Sequence, residues 1–540
     1  MERTRMEYSL QQPLHRAEKV MRVERVTFTY VGERMPILHE CSITIMQGSV
    51  HLVVGRNGSG KSTLCKLLAG LMHTHDGDLS GHIGWYESED QAVTQEVNED
   101  EQWTTSNRSN VCLPPELSPV IGYIGGDASQ QFVIGVVEDE LAFGPENMGV
   151  DAAEIGHRID AQLAALSMEP YRHAKVEKLS GGQQQRIAAA SVWTMEPDVL
   201  IVDDAWSHLD AEGRRLFAAS LYKWMYPNGE RSATRTLWMT VPRLDAEDWQ
   251  HPIWQHATCW QLDNGKLQKY KPDGTTSRVD MSAARGSEAE AVYPGSAQVR
   301  KLPVHVVLDA VSVRYSHGTE ALRGVTAEVR GGQGILLTGA NGAGKSTLFR
   351  VLTGALRGYR GSVLFNEHEL RMMKAEPLAQ YVGYAPQQAY ASFITDQVWK
   401  ECMAVWDSLD LAQQSSSLNA CSLLEPALST LSAKEWCHQQ LVKLELLQEA
   451  DRHPLDCSLS AQRKLSLFIA TAHAPALILL DEPTAGLDLE AALDIISWCD
   501  RARANGAAVV VATHDTLWTA LTEGNSEWLN WNMHEGILRV

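Results

Sequence analysis

A nine-residue run occurs twice. Gly55-Arg-Asn-Gly-Ser-Gly-Lys-Ser-Thr63 returns 284 residues later as Gly339-Ala-Asn-Gly-Ala-Gly-Lys-Ser-Thr347. Each copy fits Gly-x-x-x-x-Gly-Lys-Ser, follows an apolar run (Val50 to Val54; Ile335 to Leu337) and precedes a helical pattern. That context turns a glycine-rich turn into a phosphate cradle. Glycines let backbone N–H groups converge on phosphate oxygens, and the helix N-terminus adds a favourable dipole. Lys61 and Lys345 are placed to reach the terminal phosphates, and Ser62 and Ser346 to give a hydroxyl to Mg²⁺.

Other pieces repeat at nearly the same spacing. Val26-Thr-Phe-Thr-Tyr30 matches Val311-Ser-Val-Arg-Tyr315, and Ile121-Gly-Tyr123 matches Val382-Gly-Tyr384. Val199-Leu-Ile-Val-Asp-Asp204 matches Leu477-Ile-Leu-Leu-Asp-Glu482. The last pair are apolar strands that deliver Asp203 and Asp481 beside the loops, where a carboxylate can hold a metal shell. So long a repeat means two homologous domains, not a solenoid. The expected division is 1–270, a linker 271–303 rich in Pro, Gly and Ser, and 304–540. Within each half, β-branched runs alternate with helical patterns, which predicts α/β domains with mainly parallel sheets. Leu64, Leu67, Leu68 and Leu71 fall at i, i+3, i+4 and i+7, as do Leu348, Val351, Leu352 and Ala355. The expectation is a helix after each loop with one apolar stripe.

Composition narrows the partners. Lys plus Arg number 47 and Asp plus Glu 67, a formal charge of −20 in 540 residues. That balance argues against nucleic acid as the main partner. No stretch of 18 apolar residues reads as a membrane-spanning helix. Met1 to Val20 lacks the apolar centre of a secretion signal, and nine cysteines form no Cys-x-x-Cys pair, so a reduced, cytosolic setting is expected. Glu87 to Glu101 carries seven acids and no Lys or Arg, and reads as an acidic insertion.

Leu179-Ser-Gly-Gly-Gln-Gln-Gln-Arg186, 24 residues before Asp203, completes a pattern. With the loops and strands it resembles the ATP-binding-cassette ATPases, over nearly the whole chain. The resemblance implies two phosphate-loop domains, each with a mainly parallel core sheet, an antiparallel β subdomain and a helical subdomain. It implies ATP and Mg²⁺ as ligands. Gly55, Asn57, Gly58, Gly60, Lys61, Ser62 and Thr63 would bind one nucleotide, and Gly339, Asn341, Gly342, Gly344, Lys345, Ser346 and Thr347 the other. Tyr30 and Tyr315 look like the aromatics that stack on adenine. Ser180, Gly181, Gly182 and Gln183 look like the signature that meets the γ-phosphate held by the opposite domain, in an internal pairing of the two cassettes. Ser62, Asp203, Ser346, Gln387 and Asp481 would serve the metal. Lys345, Gln387, Glu482 and His514 would serve hydrolysis.

The halves then differ. Asp204 stands where a catalytic Glu is expected, Thr240-Val241 where Thr-His is expected, and Gly126 where the coupling Gln is expected. Leu459-Ser-Ala-Gln462 reads as a shortened signature, only 22 residues before Asp481. In the family pattern all four departures fall on one composite site, which predicts one hydrolytic and one degenerate site. Val137-Glu-Asp-Glu-Leu-Ala-Phe-Gly-Pro-Glu-Asn-Met148 resembles a segment of energy-coupling-factor importer ATPases, which serve vitamin or transition-metal uptake. That implies a separate transmembrane scaffold and a substrate-binding membrane subunit, with this chain on the cytoplasmic face. Tandem sugar-importer ATPases and ribosome-associated tandem ATPases are the alternatives.

Overall fold

The computed structural model describes residues 19–73, 75–88, 91–95, 111–112, 121–227, 232, 234–244, 248–271, 304–315, 318, 320–414, 431–522 and 527–540. The chain forms two compact units that divide at Gly274/Thr275. The expected linker, apart from Lys271, lies outside the described residues, as do 415–430 in the second half.

In the first unit a six-stranded sheet runs in the order Lys266–Lys269, Thr258–Asp263, Val50–Val54, Thr236–Val241, Val199–Asp203, Ile121–Ile124. All its neighbours are parallel except the first pair. The second unit repeats this with Val382–Ala385, Leu477–Asp481, Ala508–Ala512, Gly334–Thr338, Trp528–His534 and Ile537–Arg539. The central strands Val199–Asp203 and Ala508–Ala512 are buried at every position. Continuous apolar strands of this kind must be covered on both faces, which is why the sheets are parallel with helices on either side.

Each unit adds a four-stranded antiparallel sheet. One pairs Leu38–Met46, Lys19–Tyr30, Gly77–Ser88 and Gln91–Gln95; the other pairs Glu320–Arg330, His305–Arg314, Arg360–Phe365 and His368–Glu369. Strand Gln91–Gln95 pairs with Gly77–Ser88, so part of the acidic segment is sheet edge, not a loop throughout. Residues 96–101 of that segment lie outside the described residues.

The helices after the loops span Lys61–Leu68 and Lys345–Leu352. They are shorter than the apolar stripes predict. Gly70 and Gly354 take φ of 63° and 70° just past the last turns. A left-handed glycine there ends a helix. Leu71 and Ala355 fall beyond it, and both are exposed.

The repeated Gly-Tyr pair also has a packing cause. A Cβ at Gly383 would lie 2.1 Å from the Ala470 carbonyl oxygen, and one at Gly122 2.6 Å from Val192 Cγ1. Strands 121–124 and 382–385 therefore press directly onto the helices Gly181–Trp193 and Leu459–Thr471.

Candidate functional site

Each phosphate loop leaves a central parallel strand and turns into its helix through a left-handed glycine. Gly60 has φ 101° and Gly344 φ 113°. A Cβ at Gly344 would sit 2.4 Å from the Ala321 carbonyl oxygen, so only glycine fits. Lys61 Nζ donates to the carbonyls of Gly55 (2.6 Å) and Arg56 (2.8 Å). Lys345 Nζ donates to those of Gly339 and Ala340, the latter at 3.2 Å. Both lysines are buried and bend over their own loops. The next residue turns its hydroxyl to the strand carboxylate: Ser62 Oγ to Asp203 Oδ1 at 3.0 Å, Ser346 Oγ to Asp481 Oδ2 at 2.8 Å. A hydroxyl beside a carboxylate, with oxygen donors only, suits Mg²⁺, which prefers oxygen and keeps much of its water.

In the second unit Glu482 is held on both oxygens. Its backbone is left-handed, φ 49°, and its N–H donates to the Ala512 carbonyl at 2.8 Å. Thr513 Oγ1 donates to Oε2 at 2.8 Å, and His514 Nδ1 lies 2.8 Å from Oε1. Burial pushes this carboxyl up, but His514, Lys345 and Thr513 outweigh it and leave it below its usual range. For Asp481 burial prevails over the Ser346 bond, and the neighbouring Glu482 charge adds to it, so its carboxyl rises to about 6.

The first unit has the same backbone and different chemistry. Asp204 is left-handed, φ 52°, and its N–H donates to the Thr240 carbonyl at 3.1 Å. Its carboxylate accepts from Ser207 Oγ at 2.5 Å. Burial pushes it up to about 7 against the Ser207 bond and the Lys61 charge. Asp203 accepts three side-chain hydroxyls: Ser62, Thr240 (3.0 Å) and Tyr123 (3.0 Å).

The family model described as ABC transporter matches residues 38–207 and 322–485, more than half of the chain. The chain belongs to the ABC transporter ATPases. It is a two-cassette member: an ATP-hydrolysing, ATP-binding subunit of an ABC transporter. A Bacillus subtilis (strain 168) protein named "Putative HMP/thiamine import ATP-binding protein YkoD" is 26% identical over 92% of this chain and 87% of its own length. A Streptomyces avermitilis protein named as an ABC transporter ATP-binding protein is 29% identical, over 92% of this chain and 90% of its own. Among solved structures, CbiO1 from Clostridium perfringens, described as part of the ABC transporter complex CbiONQ, is 22% identical with a TM-score of 0.37. It covers 50% of this chain and 94% of that one.

Strand pairing fixes which residues of the two cassettes correspond. Asp203 pairs with Thr240, and Asp481 with Ala512. Thr240 is therefore the counterpart of Ala512, Val241 of Thr513, and Pro242 of His514. The sequence expectation that Thr240-Val241 replaces Thr-His is off by one residue: Pro242 stands at the histidine position. Gly126 does correspond to Gln387, because Ile121–Ile124 and Val382–Ala385 hold the same register on their neighbours. Nearby Gln131 is turned back on the loop, accepting from Gly125 N and donating to the Tyr123 carbonyl, both at 3.1 Å.

The second signature needs a larger correction. Ser180 caps Gly181–Trp193, its Oγ accepting from Gln183 N while Gln183 Oε1 accepts from Ser180 N at 2.9 Å. Ser458, not Ser460, caps Leu459–Thr471 and accepts from Ala461 N. Both helices have 13 residues. Both capping serines lie 23 residues before the strand Asp. Nothing is deleted: Ser458-Leu459-Ser460-Ala461 stands opposite Ser180-Gly181-Gly182-Gln183. The glycines are replaced, not missing.

Tyr30 and Tyr315 sit beside the loops, their hydroxyls 2.9 Å from Thr63 Oγ1 and 3.3 Å from Thr347 Oγ1. Both are half-buried, and the Tyr30 ring stands edge-on to Phe28 at 5.0 Å. Gln387 is half-buried just past its strand.

Two features escaped sequence reasoning. Buried Glu140 accepts the backbone N–H groups of Val133, Ile134 and Gly135, and buried Glu401 those of Ile394 and Thr395. Each carboxylate shapes the loop that leads from Gly126 or Gln387 to the next helix. The signal was present: Val137-x-x-Glu140 and Val398-x-x-Glu401 match. The second feature is the run Phe143-Gly-Pro145. It lies within the helix Val137–Asn147. Pro145 lacks the N–H that would reach the Leu141 carbonyl. Thr194 Oγ1, at the C-cap of the neighbouring helix, shares its proton between the Leu141 carbonyl at 2.9 Å and the Ser191 carbonyl at 2.8 Å and so supplies that bond in part. A Cβ at Gly144 would lie 2.6 Å from Met195 Sδ, so this run is where the two helices meet.

Proposed function

We propose that this chain drives an importer of energy-coupling-factor type for a vitamin or a transition-metal ion. It works with a separate transmembrane scaffold and a substrate-binding membrane subunit, at the cytoplasmic membrane face. Similarity over most of both chains to the Bacillus subtilis protein named for HMP/thiamine import carries the import reading. The resemblance of Val137–Met148 to the importer segment supports it. No helix among the described residues is long and apolar enough to cross a membrane, so a transporter role needs membrane subunits.

We further propose that the cassettes divide the work. Lys345 and the loop N–H groups bind the ATP phosphates. Ser346, Asp481 and Gln387 would hold Mg²⁺, which would neutralise developing phosphate charge. Glu482 accepts the proton of the attacking water, and His514 and Thr513 keep its carboxylate aimed. The family pattern assigns Ser180 to Gln183 to the same nucleotide. The first cassette binds ATP through Lys61, Ser62 and Asp203. It hydrolyses poorly, because Asp204 is one methylene short, its carboxylate is tied to Ser207, and Pro242 offers no imidazole.

The test is purification from membranes with the chain tagged, followed by uptake assays on the recovered complex. Co-purified integral membrane subunits and ATP-dependent uptake of a vitamin or metal ion are expected. Co-sedimentation with ribosomes and no membrane subunit would reject the reading, and uptake of a sugar would move it to the tandem sugar importers.

A further inference from the structure

The helix correspondence sets Arg463 opposite Gln185. Both are buried. Each makes the same backbone bond: Gln185 Nε2 donates to the Gly125 carbonyl at 2.8 Å, and Arg463 Nη1 to the Pro386 carbonyl at 3.1 Å. Gly125 and Pro386 immediately precede Gly126 and Gln387. This bond therefore bolts the signature helix to the base of the coupling loop in both cassettes.

Only the second bolt is charged. Arg463 is 6% exposed, and its Nε has no hydrogen-bond partner among the described residues. A buried guanidinium needs compensating charge. Here burial prevails and pushes the guanidinium down to about 10, with the charges of Glu482 and Asp481 opposing it only in part. The first cassette has no such cation at this place: a neutral amide does the same mechanical work, and that cassette also lacks the Glu and the His. The charge thus accompanies the complete hydrolytic set.

We propose that Arg463 is a positioning residue for hydrolysis in the second cassette, a buried cation that bolts the signature helix to the Pro386 carbonyl, one residue before Gln387.

The inference rests on Glu482 being the hydrolytic residue, so Glu482→Gln is measured alongside. The full chain, with the membrane subunits that purify with it, is assayed as wild type, Arg463→Gln and Arg463→Lys. The readouts are steady-state ATPase, binding of a non-hydrolysable ATP analogue and melting temperature. Arg463→Gln copies the first cassette and can keep the Pro386 bond. It is expected to lower kcat about tenfold with KM and analogue affinity within about twofold. Arg463→Lys, which restores the charge, is expected to return kcat to within about threefold of wild type. Unchanged kcat in Arg463→Gln overturns the proposal. So does an equal fall in both variants, or a fall in kcat matched by lost analogue binding and melting temperature. If Glu482→Gln itself leaves ATPase intact, the assignment of the hydrolytic cassette fails; if it abolishes ATPase while Arg463→Gln does nothing, only the role of Arg463 fails.

Discussion

Replacing Thr513 with Val tests how Glu482, the proposed hydrolytic carboxylate, is held. The first cassette already carries Val241 at this position, so the substitution has a fitting precedent in the same chain. Thr513 is buried, and its hydroxyl donates to Glu482 Oε2 at 2.8 Å while accepting from Asp515 N at 3.0 Å. A hydrogen bond to a charged group is worth about 1.5–3 kcal/mol net. At roughly 2–4 °C per kcal/mol for a domain of this size, the melting temperature should fall by about 3–12 °C. His514 still holds the other oxygen, so the carboxylate pivots but is not freed. A displacement of about 1 Å costs on the order of 100-fold, and a partial pivot should lower kcat about tenfold. KM for ATP should change less than about twofold, because no phosphate contact is lost. The pH profile supplies a sign. Thr513 helps hold the Glu482 carboxyl below its usual range. Losing it raises that pKa, so the acidic limb of kcat moves to higher pH. Thr513→Ser keeps the hydroxyl and should stay near wild type. Wild-type kcat with an unmoved acidic limb in Thr513→Val would refute this reasoning, as would a raised KM at constant kcat.

Two further outcomes concern the first cassette. Thr194→Val orphans the buried Leu141 carbonyl and should cost about 1–3 kcal/mol in denaturant unfolding. Adding Pro145→Ala restores an intrahelical N–H, so the double variant should recover about 1 kcal/mol of it. Asp204, raised to about 7 by burial, binds a proton in the folded state that the unfolded chain has already lost. Its stability is full below the ordinary Asp range and declines as pH rises through about 7, so Asp204→Asn should raise the melting temperature at pH 8 and leave it unchanged near pH 4.

Much of the site was legible because phosphate binding needs residue types at fixed spacing. Loop glycines, lysines and serines, and the strand carboxylates, are local features. What failed was register. The sequence Leu459-Ser-Ala-Gln looks like a clipped signature because it contains Leu, Ser and Gln. Only the cap made by Ser458 and the paired bonds of Gln185 and Arg463 show that no residue is missing. The Thr-His position slipped for a similar reason: Thr240 resembles Thr513, but its pairing with Asp203 makes it the counterpart of Ala512. Its hydroxyl instead binds Asp203, a tertiary contact that no spacing announces. The helix stripes overran because apolar periodicity persists past Gly70 and Gly354, where the backbone turns left-handed. Glu140 is one of several acids in Val137–Met148, and only the fold reveals three N–H groups converging on it.

Unequal work by the two similar cassettes shows in the steady-state ATPase of the assembled transporter. Glu482→Gln and Asp204→Asn each replace one carboxylate by its amide at the same backbone position. Glu482→Gln is expected to reduce turnover to a few per cent or less, on the order of 100-fold or more, while Asp204→Asn is expected to leave it within about threefold of wild type. Similar losses from both substitutions would contradict it.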